Sequence, residues 1–213
     1  VIIKTSEVFY MDLMWILYLL IGYLLGSIPF ALVIGLVFYK TDVRKHGSGN
    51  LGGSNTGRVL GKKAGISVIV CDVLKVVLAV AIVASMNREA SIWAGVMAAI
   101  GHCYPIFANF KGGKAVATMF GFLLSISIFT FQSPWYFIVP FLCFFVLLYL
   151  SKIVSLSSMS AALVSAIQIT VLQMNNSIAV VIASWLLCIL VVYRHRSNIV
   201  KIKNGTENKI TWM

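Results

Sequence analysis

The chain has 213 residues, 60% of them hydrophobic and only 11% charged, with a formal net charge of +11 at pH 7. Soluble globular domains carry about 45–50% apolar and about 25% charged residues, so a water-soluble fold is excluded and the bilayer is the main solvent. Cations in so apolar a chain follow topology and anionic headgroups or substrates, and no nucleic-acid partner is expected.

From the start of the chain, Val1 to Tyr10 contain Lys4 and Glu7 and lack the basic start, short apolar run and small-residue site of a signal peptide. Because the chain begins with Val, Met11 and Met14 are alternative starts, and residues 1–10 read as a candidate extension. Apolar stretches follow at Leu13 to Tyr39, Ile66 to Met86, Ile92 to Phe110, Val116 to Phe131, Trp135 to Leu150, Ile153 to Leu172 and Ile178 to Tyr193. A spanning helix needs roughly 20 apolar residues. The expectation is therefore an all-α integral membrane protein, a polytopic bundle of about seven transmembrane helices forming a single domain over residues 1–213. Glycines interrupt the third and fourth stretches; if one of these is re-entrant, the count falls to six or five.

Loop charges set the expected orientation. Lys40, Arg44, Lys45, Arg58, Lys62 and Lys63 follow the first stretch, Lys111 and Lys114 the third, Lys152 the fifth, and Arg194, Arg196, Lys201, Lys203 and Lys209 the last. The alternate side holds Lys4, Arg88 and polar turns. By the positive-inside rule the crowded side is cytoplasmic, which puts the N-terminus outside and the C-terminus in the cytoplasm of a multi-pass cell (inner) membrane protein.

Three polar clusters lie on that predicted face. The first runs from Asp42 to Arg58 and includes Gly47-Ser48-Gly49-Asn50 and Asn55. Glycines let backbone N–H groups approach an anion, hydroxyls and amides add donors, and arginine makes a two-pronged phosphate contact. It is not a P-loop, since G-x-x-x-x-G-K-[ST] is absent, and it has no carboxylate suited to recruiting a metal; a flexible connector would not need Asn50, Asn55 and Arg58. The second cluster, Gly101 to Thr118, contains Lys111-Gly112-Gly113-Lys114 ahead of a helix whose N-terminal N–H groups favour an anion. Membrane anchoring explains one of these lysines more readily than both. The third is Arg194-His195-Arg196-Ser197-Asn198-Ile199, followed by Gly205-Thr206-Glu207. Charge alone would equally fit a basic tail on anionic lipid.

Other polar residues read as structural. Asp72 and Lys75 share a helical face at i and i+3 and are expected to neutralise each other. His102 reads as a packing residue. Cys71, Cys103, Cys143 and Cys188 lie in apolar stretches without a C-x-x-C pair and read as small hydrophobes, so neither disulfide nor metal site is expected.

Together, and in this order, the clusters resemble those of the PlsY family, the bacterial acyl-phosphate:glycerol-3-phosphate acyltransferases. The likeness runs from Gly26-Ser27-Ile28-Pro29-Phe30 to Gly205-Thr206-Glu207. It implies transfer of a fatty acyl group from acyl phosphate to the sn-1 hydroxyl of glycerol 3-phosphate, giving lysophosphatidic acid and phosphate in phospholipid biosynthesis. It implies catalytic roles for Ser48, Arg58, His195 and Asn198. Substrate or phosphate binding falls to Gly47, Asn50, Asn55, Lys111, Gly112, Gly113 and Lys114, and a structural role near the site to Glu207. No cofactor or metal is implied. The implied partners are both substrates, membrane lipids and the soluble phosphate acyltransferase that makes acyl phosphate. The chain departs from the family pattern at Ala115, where glycine is usual, at Gly53 and Ser54, where alanine and threonine are usual, and at Gly57, where a larger residue precedes the arginine.

The chemistry agrees. Two anionic substrates must be held close together while a hydroxyl attacks a carbonyl, which clustered cations and amides would permit. Acyl phosphate carries its own good leaving group, so direct transfer needs no acyl-enzyme. No H-x-x-x-x-D follows His46, His102 or His195, which argues against acyl-CoA-dependent enzymes built on that pair. A transporter is the competing class, but no internal repeat is visible and the cations gather at one face, away from the midplane. A non-catalytic scaffold would leave Ser48, Asn50, Asn55 and Asn198 unexplained.

Overall fold

The structure, a computed structural model, describes the backbone of residues 2–210 and the side chains of residues 13–210. The candidate extension at residues 1–10, with Lys4 and Glu7, lies outside the described side chains. The described residues form helices and turns throughout.

Helix α1 (Ile2–Gly26) and helix α2 (Phe30–Tyr39) form one interrupted apolar unit, broken where Pro29 disfavours helical backbone at Ile28. A 3₁₀ turn (Val43–Lys45) and a short helix α3 (Gly53–Leu60) follow. Six longer apolar helices come next: α4 (Lys62–Ala84), α5 (Arg88–Cys103), α6 (Val116–Ser125, extended by a π turn to Thr130), α7 (Trp135–Ser151), α8 (Val154–Gln173) and α9 (Ile178–Arg194). Helix α10 (Arg196–Lys203) ends the fold, bent 57° from α9.

Four units are long and apolar enough to cross a membrane: Leu13–Tyr39, Lys62–Ala84, Arg88–Ala108 and Val154–Gln173. The α9–α10 pair adds a fifth only if α9 and α10 are counted as one span across their 57° bend, while Val116–Thr130 and Trp135–Ser151 are shorter. Apolar side chains such as Val37, Ile66, Leu74, Leu78, Leu142, Val146, Ile167, Val171, Ile182 and Ile189 are exposed around the outside. Water would oppose such a surface and lipid accepts it.

Small residues bring the helices together. Gly22 and Gly26 of α1 lie so close to Ala94 and Ala98 of α5 that a Cβ at either would strike α5 backbone. Ala161, Ala162 and Ala166 of α8 are fully buried in the core with Val76 and Ala79 of α4, Phe122 and Leu123 of α6, and Leu187 and Val191 of α9. Buried Ser125, Ser157, Ser158, Ser165 and Ser184 donate to carbonyls three or four residues back. That leaves their hydroxyls satisfied without water.

The fold differs from the sequence expectation in two places that matter for the site. The first polar cluster is not all loop: Arg58 sits on α3, which packs on α4 where Gly65 approaches Gly53 and Gly57. The third apolar helix starts at Arg88, capped by Asn87 accepting from the Ala90 N–H (2.9 Å), and ends at Cys103 two residues before Pro105. Residues 104–115 are thus a connector folded back against α5.

Candidate active site

The first cluster is organised by one side chain. Asn55, 2% exposed, accepts from the N–H (2.8 Å) and hydroxyl (3.1 Å) of Ser48. Its amide nitrogen donates to the carbonyls of Val43 (3.1 Å) and His46 (3.3 Å). Gly47 and Gly49 flank Ser48 with φ of 60° and 68°, a backbone that glycine adopts without strain. The turn thus presents an exposed Ser48 whose hydroxyl is already oriented. The polar groups of Asn55 are fully engaged by the loop, so its geometry is that of an organiser.

Two arginines of this region differ in kind. Arg44 is paired with Asp42 (2.7 Å), and this hydrogen-bonded guanidinium holds the carboxyl down to about 2. Arg58 is exposed, and no hydrogen bond or ion pair holds its guanidinium among the described residues.

In the second cluster the glycine amides do not face outward as the anion-binding expectation supposes. The Gly112 N–H donates to Cys103 O (3.2 Å) and the Gly113 N–H to His102 O (2.9 Å), closing the C-terminal end of α5. A Cβ at Gly112 would strike the His102 carbonyl, and one at Gly113 the His102 imidazole. Close packing on α5 therefore demands these two glycines. Their carbonyls are gripped from other directions: Asn50 Nδ2 donates to Gly112 O (3.2 Å), Arg194 donates to Gly112 O (3.1 Å), and Arg194 Nε donates to Gly113 O (3.0 Å). The Arg194 guanidinium also lies over the Tyr104 ring, 5.1 Å from its centroid.

Lys111 is exposed and stands outside this network, whereas Lys114 is half-buried and its Nζ donates to Asn198 Oδ1. Asn198 Nδ2 donates to Glu207 Oε1 (2.6 Å), which also accepts from the Ser155 hydroxyl (2.8 Å). Glu207 thus ties α10 to the start of α8, and the same tail is fixed by the Ile210 N–H to Lys152 O (2.8 Å). Burial pushes the Lys114 ammonium below its ordinary pKa; Glu207 opposes this, while Arg194, Lys201 and Arg58 reinforce it. Ala115, immediately before α6, holds a φ of 61°. This is a left-handed conformation natural to glycine.

His195 is buried at the α9–α10 bend, with Nδ1 2.8 Å from the Val191 carbonyl. A carbonyl only accepts, so Nδ1 carries the proton and Nε2 is left as an acceptor. Burial pushes the imidazole down to about 4, against the hydrogen bond to Val191. It is neutral near pH 7.

The three clusters therefore meet. Asn50 joins the first to the second, and Arg194 and Asn198 join the third to the second. Cations outnumber carboxylates here, an arrangement suited to anionic groups. Sequence reasoning did not name Arg194 as a site residue. From charge alone it left the third cluster equally compatible with a basic tail on lipid, although Arg194 adjoins His195 within the third motif.

Comparisons with known proteins identify the family. The family model described as "Glycerol-3-phosphate acyltransferase" matches residues 16–205. A glycerol-3-phosphate acyltransferase of Geobacillus kaustophilus is 48% identical over 197 residues, covering 92% of this chain and 96% of the relative. One from Enterococcus faecalis is 43% identical over 206 residues, covering 92% of each chain. Crystal structures of PlsY, an integral membrane glycerol 3-phosphate acyltransferase, are also similar. Its glycerol 3-phosphate form aligns with a TM-score of 0.84 at 32% identity over 92% of this chain and 96% of that one. Its lysophosphatidic acid form aligns at 0.82 and 31%, over 92% and 95%. With the match spanning all three clusters, this chain belongs to the glycerol-3-phosphate acyltransferase family.

Proposed function

We propose that the protein is an acyltransferase that moves a fatty acyl group from acyl phosphate to the sn-1 hydroxyl of glycerol 3-phosphate, forming lysophosphatidic acid and phosphate for phospholipid synthesis. The observation that carries this reading is the meeting of three cationic clusters in one network around Gly112 and Gly113. The relatives are glycerol-3-phosphate acyltransferases, and PlsY is described with glycerol 3-phosphate and with lysophosphatidic acid.

In this reading Arg58 and Lys114 hold substrate phosphates and offset their mutual repulsion. Gly47, Asn50, Asn55, Gly112 and Gly113 shape the walls, and Lys111 contributes at the rim. Ser48 has one hydroxyl proton, resting on Asn55 Oδ1; when substrate enters, the hydroxyl turns to donate it to a phosphate or to the reacting carbonyl, while the Ser48 N–H keeps the loop bonded to Asn55. Neutral His195 accepts through Nε2 from the neighbouring sn-2 hydroxyl and so turns the sn-1 hydroxyl toward the acyl carbon, taking no part in the proton transfer. Asn198 positions Lys114, and Glu207 holds Asn198. The new ester C–O bond forms as the acyl–phosphate C–O bond breaks, and the hydroxyl proton passes to the departing phosphate. No acyl-enzyme forms; an acyl group trapped on Ser48 by mass spectrometry would contradict this step.

The topology we propose is one domain with seven crossings, the N-terminus outside and the C-terminus and site in the cytoplasm. The basic loops support it, and a locally thinned bilayer accommodates the two short helices. A soluble phosphate acyltransferase supplies the acyl phosphate. The test is a donor comparison: purified protein with glycerol 3-phosphate should form lysophosphatidic acid with palmitoyl phosphate and none with palmitoyl-CoA. The reverse preference would refute the donor assignment.

A further inference from the structure

Beneath the proposed site lies a buried polar cluster that the reaction scheme does not use. The Lys75 and Asp72 side chains are each 2% exposed, and Lys75 Nζ lies 2.7 Å from Asp72 Oδ1. The same ammonium donates to the Ile28 carbonyl (2.9 Å), at the break between α1 and α2, and lies 3.1 Å from His102 Nδ1. The ammonium thus donates to the Ile28 carbonyl and the His102 ring on two other segments, while it pairs by charge with Asp72 Oδ1, which accepts no hydrogen bond. Burying two ions costs several kcal/mol each, and an apolar pair of similar volume is often as stable. A pair kept only for stability has no need of this geometry.

Its third partner connects it to the site. With Nδ1 accepting from Lys75, the Nε2 edge of His102 lies against Gly113, where no Cβ fits, and the His102 carbonyl accepts from the Gly113 N–H. Lys114 is the next residue and reaches Asn198. An unbroken series of contacts therefore runs from the Ile28 break through Lys75 and His102 to the Gly112–Gly113 loop and Lys114.

We propose that Lys75, with Asp72 and His102, is a positioning residue: the buried cluster fixes the His102 imidazole as the seat of the Gly113 loop and thereby places Lys114. This rests on the acyltransferase reading above. A shift of about 1 Å in a substrate-holding group is enough to lower a rate roughly 100-fold. The cluster therefore has leverage without touching substrate.

The test is a double-mutant cycle on the full chain in lipid vesicles, with the charge-neutral pair Asp72→Asn/Lys75→Met, Lys114→Ala and their combination assayed for lysophosphatidic acid. Acting through Lys114, the neutral pair should lower kcat/KM about 100-fold in the wild-type background at a retained thermal midpoint. In the Lys114→Ala background the further loss should stay within about twofold, the scatter of independent effects. Losses that multiply, or a wild-type kcat/KM in the folded pair, overturn the proposal. If the pair does not fold, His102→Asn gives the same cycle, since it removes the imidazole and keeps the Asp72–Lys75 ion pair, and the same two outcomes decide. A wild-type chain that forms no lysophosphatidic acid overturns the functional reading and the proposal with it; an active wild type with multiplicative losses overturns the proposal alone.

Discussion

Replacing Asn55 with alanine separates a loop organiser from a substrate ligand. The substitution deletes four hydrogen bonds, two from Ser48 and two to the carbonyls of Val43 and His46. The groups on Ser48 are exposed and recover water, so their loss costs little in stability. Val43 is fully buried, and its carbonyl keeps only the 3.4 Å bond from the His46 N–H. At about 1 kcal/mol per lost bond, and about 1–3 for a buried group left poorly paired, the expected loss is about 2–4 kcal/mol. For a chain of this size that corresponds to a fall of roughly 5–15 °C in the thermal midpoint. Activity should fall together with stability, because Ser48 is released. Asn55→Asp retains the acceptor for Ser48 but sets a carboxylate against two carbonyls, and should lose at least as much stability. Thermal unfolding of the purified variants, followed beside lysophosphatidic acid formation, measures both. An unchanged midpoint with activity lost would refute the organiser assignment and return Asn55 to the substrate.

Asn198→Ala removes the acceptor that seats Lys114, and we predict a rate loss of about 100- to 1000-fold with folding retained; near-normal turnover would remove Asn198 from the site. Glu207→Ala deletes the acceptor shared by Asn198 and Ser155, and both thermal midpoint and activity should fall; full activity would show that the tail does not set Asn198. The His195 pKa is depressed from 6.5 to about 4, so the unfolded chain binds the extra proton first as pH falls. Stability contributed by neutral His195 is complete above pH 6.5 and is lost as pH falls to about 4; pH-dependent unfolding should be flatter over that window in His195→Gln, and an unchanged profile would refute it. At the alkaline end, burial lowers the Lys114 pKa, so activity should decline before the ordinary lysine range is reached, and the Lys114→Ala pH profile should lack that limb. Gly57 lies in the middle of α3, where a Cβ would meet only Gly65 Cα at 3.6 Å, an ordinary contact. Gly57→Ala should therefore stabilise by about 0.5–1 kcal/mol, and a lowered midpoint would contradict the packing.

What the sequence disclosed depended on how local the signal was. Each apolar run became a helix because the bilayer rewards continuous hydrophobicity, and the three polar clusters stood out against so apolar a background. The details of Gly112 and Gly113 were not legible. Their need for small size comes from His102, which precedes them by about ten residues but meets them only after the connector folds back on α5. Arg194 was hidden for a similar reason: a cation at the end of a spanning helix looks like an anchor until its partners, the Gly112 and Gly113 carbonyls, are in place. Asn55 carries a signature that could have been weighed differently, since a buried amide among glycines serves the loop itself as readily as a ligand. Ala115 shows the converse. Its departure from the family's glycine was visible in the sequence, but only the φ of 61° shows the backbone state that glycine would suit.

The central claim is that acyl transfer to glycerol 3-phosphate occurs where the three clusters meet, with Arg58 as an unpaired substrate ligand. The most direct test compares purified wild-type protein with Arg58→Ala, supplied with palmitoyl phosphate and glycerol 3-phosphate, by counting lysophosphatidic acid and phosphate released. The account predicts equal amounts of the two products from the wild type and a rate lower by about 100- to 1000-fold in the folded variant. Wild-type turnover by Arg58→Ala, or no lysophosphatidic acid from the wild type, would contradict it.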